Sequence, residues 1–426
     1  MDDIAAPSLT RAQVKTLSLA ALGGALEFYD FVIFVFFAAT MGALFFPPDM
    51  PEWLRLVQTF GIFAAGYLAR PLGGIVMAHF GDLSGRKRMF MLSILLMAIP
   101  TLLMGLLPTY AQAGVLAPIL LLLLRIMQGA AIGGEAPGAW VFVSEHVSPR
   151  HRNLACGALS AGLCTGILIG SLVARAVHAN FDDAELQAWG WRLPFVIGGV
   201  FGFIALAVRR QLHETPVFAE MQAKRALAAE LPLKTVLRAH GGAVALAMLL
   251  TWLLTAAVVV TLLMMPTLLQ GVGVSRAEAL SGNTLAICAT VLANIIAGML
   301  ADRFGAGRVL VLWSALLGIA FWVFYATALA GAYSPWLYML AGFAVGVTAL
   351  VPAIAVGGFP PQVRFSGLSF AYNVAYAIAG GLTPVLLSLA MKDNPAAPMH
   401  YIAAMALLGI GLGLFVSMRQ PRLAIA

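Results

Sequence analysis

The chain has 426 residues, of which 61% are apolar and 10% charged, with 3 cysteines and a formal net charge of +7. A soluble domain carries about 25% charged residues, so a water-facing fold could not hide this much hydrocarbon. The excess requires lipid. The basic balance does not indicate nucleic acid, because the Lys and Arg residues map to short loops between the apolar runs. Cys156, Cys164 and Cys288 lie inside apolar runs without CxxC spacing, which implies neither a disulfide framework nor a metal site. The chain holds no nucleophile, metal or phosphate-loop constellation, so an enzyme is not expected and neither is a cofactor.

In chain order, the first apolar run begins near Thr16. It is too long for the core of a signal peptide and contains Glu27 and Asp30, so it is expected to remain as a membrane span. Runs of about 20 residues recur from there, the length a helix needs to cross a hydrocarbon core of about 30 Å. They show no alternation of the barrel kind. Twelve transmembrane helices are predicted, at 17–46, 57–80, 89–107, 115–143, 154–179, 192–212, 243–269, 279–300, 309–329, 335–357, 366–391 and 400–418. The fold class is therefore an all-α membrane protein of two six-helix bundles, 1–212 and 243–426, joined by a polar linker at 213–242. Of the 25 Lys and Arg residues, 18 fall in segments on one face, while only Arg55, Arg192, Arg276 and Lys392 lie in loops on the other. That bias places both termini in the cytoplasm. The inner membrane of a cell is the expected location and a monomer the expected state.

The halves repeat one another. Asp82-Leu83-Ser84-Gly85-Arg86-Lys87-Arg88 follows span two, and Asp302-Arg303-Phe304-Gly305-Ala306-Gly307-Arg308 follows span eight. Both read D-x-x-G-x-x-R. Parallel repeats of this kind are the plan of alternating-access carriers, with the substrate site between the halves near mid-membrane. In each loop a tight glycine turn carries charges that can pair with span ends. Asp82, Gly85, Arg86, Arg88, Asp302 and Arg308 are therefore read as a gate, together with Glu145 and its neighbours Arg150 and Arg152.

These motifs extend further. Gly24-Ala-Leu-Glu27-Phe-Tyr-Asp30-Phe31, Arg70-Pro71-Leu72-Gly73-Gly74, Arg125-Ile-Met-Gln128-Gly129 with Gly133-Gly134-Glu135, Trp189-Gly-Trp191-Arg192-Leu-Pro-Phe195 and Glu214-Thr-Pro216 occur in order along the chain. With them, the sequence resembles the major facilitator superfamily and, within it, the metabolite:proton symporters that carry α-ketoglutarate, citrate, shikimate or proline/betaine. The resemblance implies alternating access and links an acid on span one and a base on span four to proton coupling. Two departures stand out: Gly305-Ala306-Gly307 replaces the usual Gly-Arg-Arg, and Ala136-Pro137 follows Glu135 in place of a bulky residue.

Away from span ends, the charges within spans are Glu27, Asp30, Arg70, Arg125 and Glu135, with Arg175 marginal, and none lies in spans seven to twelve. Each costs about 2.5–3.5 kcal/mol at the bilayer centre, so each must pair or face a wet cavity. A purely structural ion-pair network would account for the same balance of signs. Depth along the helices suggests an outer cluster of Glu27, Asp30 and Arg125 and an inner one of Arg70 and Glu135. Asp30, then Glu27, with Arg125 and Glu135, are the expected proton-coupling groups. Arg70, Arg125, Gln128, Tyr372 and Asn373 are the expected substrate contacts. Arg175 and His178, near the outer end of span five, read as a snorkelling interfacial pair. The function expected is import of a small organic acid anion with protons, its partners being that anion, protons and the bilayer. A zwitterion such as a betaine is the first alternative and proton-coupled efflux the second. Efflux members carry a Gly-Pro pair in span five, where this chain has Gly162, Gly166 and Gly170 but no proline.

Overall fold

Thr10 opens the first helix with a capping box: its hydroxyl accepts the Gln13 N–H, and the Gln13 side chain accepts the Thr10 N–H. In the computed structural model, which describes residues 9–84, 86–210, 220 and 232–419, nearly everything beyond that cap is helical. The first half contains α1 (Arg11–Phe36), α2 (Glu52–Ser84), α3 (Arg86–Leu106), α4 (Leu116–His146), α5 (Arg152–Asn180) and α6 (Arg192–Arg209). A short helix, Ala38–Phe45, completes the first crossing after a break at Phe37. The second half contains α7 (Gly241–Gly271), α8 (Arg276–Phe304), α9 (Ala306–Leu329), α10 (Pro335–Gly357), α11 (Arg364–Ala390) and α12 (Ala397–Arg419).

Among the described residues, ten of these helices are long and apolar enough to span a membrane. Helix α6 joins them through the segment Asp183–Gly190, bent from it by 42°, and the shorter apolar stretch Met91–Leu106 lies within α3. All twelve predicted spans are thus found as helices. Most of the predicted linker lies outside the described residues. Its end forms a helix, Pro232–Ala239, with Val236 buried and Lys234 and Arg238 exposed. Leu72, Ile319 and Leu407, each at least 67% exposed, face outward where lipid covers them.

Lipid is as apolar as leucine, so helices inside each half associate through close packing of small residues. A Cβ on Gly129 would overlap the backbone of Gly66, and one on Gly73 the backbone of Ala130, so α2 and α4 touch backbone to backbone. Gly162 and Gly166 of α5 meet Ala21 and Ala25 of α1 in the same way, and Gly342 of α10 meets Ala286 of α8. The spacing of four that the sequence displays in α5 is therefore a helix-packing stripe. Helix α7 passes through a π-helical turn at Val259–Met264 and α10 through a 3-10 turn at Val345–Ala349. The Tyr338 hydroxyl ties α10 to the former by donating to the Thr261 carbonyl at 2.8 Å.

The halves meet along two seams. In one, α5 and α8 run antiparallel, with contacts at His178–Arg276, Ser171–Thr284, Cys164–Asn294 and Asn153–Asp302. In the other, α2 packs on α11, where Tyr67 stacks on Tyr376 and Ser369 donates to the Gly74 carbonyl. The end of the bundle where α1 starts and α4 finishes, joined by the Gln13 amide on the His146 carbonyl, is called here the terminal face.

The α2–α4 contact makes Gly129→Ala a test of the fold. The added methyl must push two backbones apart, and overpacking of this kind costs about 1–3 kcal/mol. Thermal unfolding of the purified protein in detergent should show a clear drop for Gly129→Ala. Gly61→Ala, where a Cβ meets nothing within 4 Å, should leave the melting temperature in place.

Candidate transport site

Two guanidinium groups occupy the centre of the bundle. Both Arg70 and Arg125 are 0% exposed. Arg70, one turn before Gly74 on the thinned α2–α4 contact, points to the seam with α11. Its Nε donates to Asn373 Oδ1 at 3.3 Å, while Nη1 and Nη2 have no hydrogen-bond partner. Rings enclose it: its guanidinium carbon lies 4.3 Å from the Tyr376 centroid, 5.4 Å from Tyr372, 5.5 Å from Tyr67 and 5.9 Å from Phe31. Such contacts stabilise a desolvated cation by about 2 kcal/mol or more. Asn373 is held in turn by donating to the carbonyls of Gly133 (2.5 Å) and Ser369 (2.8 Å).

Arg125 also lies over Phe31, 4.7 Å from that ring, and packs on Phe34 and Phe63. Its Nη1 donates to the Gln128 side-chain oxygen and, at 3.4 Å, to the Phe31 carbonyl, leaving Nε and Nη2 without partners. Gln128 passes the connection on. Its amide donates to the Asp30 carbonyl at 3.1 Å and to the Thr101 hydroxyl at 2.7 Å.

The structure thus brings Arg70, Tyr372 and Asn373 together, and Arg125 with Gln128, but among the described side chains Asp30 does not pair with Arg125, nor Glu135 with Arg70. Asp30 is 1% exposed and neither of its carboxylate oxygens has a hydrogen-bond partner. It faces α6, with Oδ1 within 2.5 Å of where a Gly198 Cβ would stand and Oδ2 beside Gly202. Phe31, one residue and about 100° further round the helix, is what meets the arginines. Arg125 and Gln128 reach the turn of α1 that carries Asp30, but the Asp30 side chain points another way. Glu135 is likewise turned away from Arg70. It lies two residues past Gly133, whose carbonyl faces α11, so it points to the far side of α4 and accepts from the Ser93 hydroxyl at 2.5 Å. The side chain of Glu27 lies outside the described residues.

At the terminal face, Asp302 of the second half grips the N-terminus of α5. Its Oδ1 accepts from the Asn153 N–H (3.0 Å) and Nδ2 (2.8 Å), and its Oδ2 from the Leu154 N–H (3.0 Å). Free N–H groups at a helix start make this a natural carboxylate site. Glu145, grouped with Arg150 and Arg152 in the expected gate, finds a cation in the other half. It pairs across the seam with Arg364, Oε1 to Nη1 at 3.1 Å, because α4 ends opposite the start of α11. The Nε of Arg152 is buried without a partner, and Arg308 is exposed at the start of α9. Gly85 and the side chains of Asp82, Arg86 and Arg88 lie outside the described residues. In the second loop, Gly305 takes φ 90° to end α8, a conformation that favours glycine.

Sequence reasoning missed the aromatic enclosure formed by Phe31, Phe34, Phe63 and Tyr67. The signal was present as spacing: Phe31 and Phe34, and Phe63, Tyr67 and Arg70, lie three or four residues apart on single helix faces. It also missed Arg364 as the partner of Glu145.

The family described as the Major Facilitator Superfamily matches residues 20–384 of the chain. The chain belongs to the Major Facilitator Superfamily. Among curated members of this superfamily, the inner membrane metabolite transport protein YhjE of Escherichia coli K12 is 35% identical over 408 residues, 92% of this chain and 91% of that one. A putative proline/betaine transporter of Staphylococcus aureus (strain COL) is 30% identical, over 93% of this chain and 86% of its own. The glycine betaine/proline/ectoine/pipecolic acid transporter OusA of Dickeya dadantii is 30% identical, over 94% and 83%. In structure the chain is similar to the proton:xylose symporter XylE bound to 6-bromo-6-deoxy-D-glucose, with a TM-score of 0.76 at 17% identity over 95% of each chain. The protein is therefore a multi-pass membrane transporter of the major facilitator fold.

The Asp302 grip predicts a native-cysteine readout. Cys156 and Cys164 are buried on α5, and Cys288 is exposed on α8. Asp302→Ala removes an acceptor of three N–H donors, each such charged bond contributing about 1.5–3 kcal/mol. Labelling of Cys156 by N-ethylmaleimide should then accelerate about tenfold or more, while Cys288 labels at its original rate. Unchanged Cys156 labelling would show that other contacts hold this face shut.

Proposed function

We propose that the protein imports a small carboxylate-bearing solute together with protons, with the terminal face in the cytoplasm. The observation that carries this reading is the pair of buried guanidiniums, Arg70 and Arg125, whose Nη2 groups and further N–H donors lack partners. Unpaired buried cations are costly, and a carboxylate arriving between the halves would satisfy both charge and geometry. Arg70 on the seam with α11 is the first contact, assisted by Asn373 and Tyr372. Arg125 is the second. The excess of Lys and Arg in loops of the terminal face supports its cytoplasmic orientation.

Asp30 is the proton carrier in this reading. A buried carboxylate without donor or cation is expensive, and taking up a proton removes the charge. The link to the substrate runs through Gln128, which connects Arg125 to the turn of α1 that carries Asp30. An anion that draws Arg125 toward itself pulls on that connection and changes the surroundings of Asp30. Glu135, held by Ser93 on the far side of α4, belongs to the structure of the first bundle rather than to the coupling.

A zwitterion is the second reading, favoured by the named substrates of the proline/betaine relatives and by the rings of Tyr67, Tyr372 and Tyr376. Its carboxylate would meet Arg70 while its ammonium rests against an aromatic face. Counterflow in proteoliposomes with labelled α-ketoglutarate, citrate, shikimate, proline and glycine betaine decides between the two. In either case Arg70→Gln should weaken binding of the accepted solute by about 2–5 kcal/mol. Asp30→Asn should abolish uphill uptake driven by an inward proton gradient yet leave solute exchange, which needs no net proton release. Accumulation by Asp30→Asn equal to wild type would remove Asp30 from the mechanism.

A further inference from the structure

At the face opposite the termini, the α5–α8 seam ends in a side-chain contact between the halves. Arg276 Nη2 lies 2.7 Å from His178 Nε2. On the other side of the imidazole, Nδ1 lies 2.8 Å from the Ala174 carbonyl. These two partners suit the neutral imidazole with its hydrogen on Nδ1. A carbonyl only accepts, so Nδ1 carries the hydrogen, and a guanidinium only donates, so Nε2 must offer its lone pair. The contact therefore exists only while His178 is neutral. An imidazolium would place a second N–H and a second positive charge against Arg276.

The surroundings make the contact a latch rather than a surface accident. Phe37, at the break after α1, stacks on the imidazole with centroids 5.1 Å apart. His178 and Arg276 line a cleft of about 180 Å³ that enters between the halves, bounded by Phe36 and Phe60 on one side and Pro266 and Gln270 on the other. Asp183, from the turn after α5, acts electrostatically on both groups; Arg175, three residues before His178 on α5, and Glu278, two residues after Arg276 on α8, are the charged residues next along their own helices. From α1 and α7 the neighbours are aromatic or neutral.

We propose that His178 and Arg276 form a proton-released latch on this face, closed while the imidazole is neutral and opened by its protonation. The proposal rests on the functional reading above only for which face is outside. With the termini in the cytoplasm, the latch faces the medium that supplies the protons, so acid outside would both open the mouth and load the carrier. A histidine is suited to this role because its charge changes between about pH 5 and 8.

The test is a distance measurement that needs neither substrate nor a membrane orientation. Its failure is therefore separate from any failure of the transport reading. Spin labels are attached at Ala188→Cys in the first half and Ala332→Cys in the second, both exposed on this face, with the three native cysteines replaced. Pulsed dipolar distances are recorded in nanodiscs at pH 8 and pH 5. The expected result is a shift of several ångströms to longer distance at pH 5. His178→Gln, whose amide oxygen can accept from Arg276 but cannot take a proton, should keep the short distance at both values. His178→Lys should hold the long distance at both. A wild-type distance that does not move, or a His178→Gln variant that moves as wild type does, would overturn the proposal.

Discussion

Two buried arginines with no carboxylate partner among the described residues are the constraint around which this structure is arranged. Arg70 and Arg125 both lie over the Phe31 ring, held by rings and amides. Each device around them lowers the cost of that arrangement. Glycines at 66, 73, 129 and 133 let α2 and α4 approach until the backbone itself walls the site. Tyr67 of α2 stacks on Tyr376 of α11, and with Tyr372 these rings close the site across the seam. In the proposed function the donors left over are those that a carboxylate would meet.

Charge is distributed unevenly between the halves, and the asymmetry has a physical use. Helices α7 to α12 contain no Asp, Glu, Lys or Arg away from their ends. They contribute amides, hydroxyls and rings, and they meet the first half through contacts that can be broken singly. At the terminal face these are carboxylate contacts, Asp302 on the start of α5 and Arg364 on Glu145. At the opposite face the pairing is between a cation and a neutral imidazole. One face thus holds carboxylates on N–H groups and on an arginine, and in the proposed latch the other holds a group that a proton converts to a like charge. Alternating access needs two closures that do not respond alike, and this chemistry supplies them.

The helices and their order were legible in the sequence because lipid permits few ways to satisfy a backbone, and runs of 20 apolar residues leave one. The residues of the centre were legible for a related reason: charges that survive in such runs must be used. Direction around the helix axis was harder to read. Asp30 and Arg125 were correctly placed near one depth, yet Asp30 faces Gly198 and Gly202 while its neighbour Phe31 faces the arginine. A rotation of 100° per residue separates an ion pair from no contact, and a single sequence of mostly apolar residues has too little contrast to fix it. Partners across the seam, such as Arg364 with Glu145, are 219 residues apart and depend on which helix ends the fold brings together. The repeated D-x-x-G-x-x-R loops pointed to the terminal face, but only the fold gives Asp302 its partners on α5.

The account's central claim is that an anion at Arg70 and Arg125 is felt by the carboxyl of Asp30 through Gln128. The most direct measurement is an infrared difference spectrum of the reconstituted protein, perfused with the solute that counterflow selects. A change in the carboxylic-acid C=O stretch on solute addition, absent in Asp30→Asn and lost in Gln128→Leu, is the result the account predicts. An unchanged carboxyl band in wild type, or a band that persists in Asp30→Asn, would contradict it.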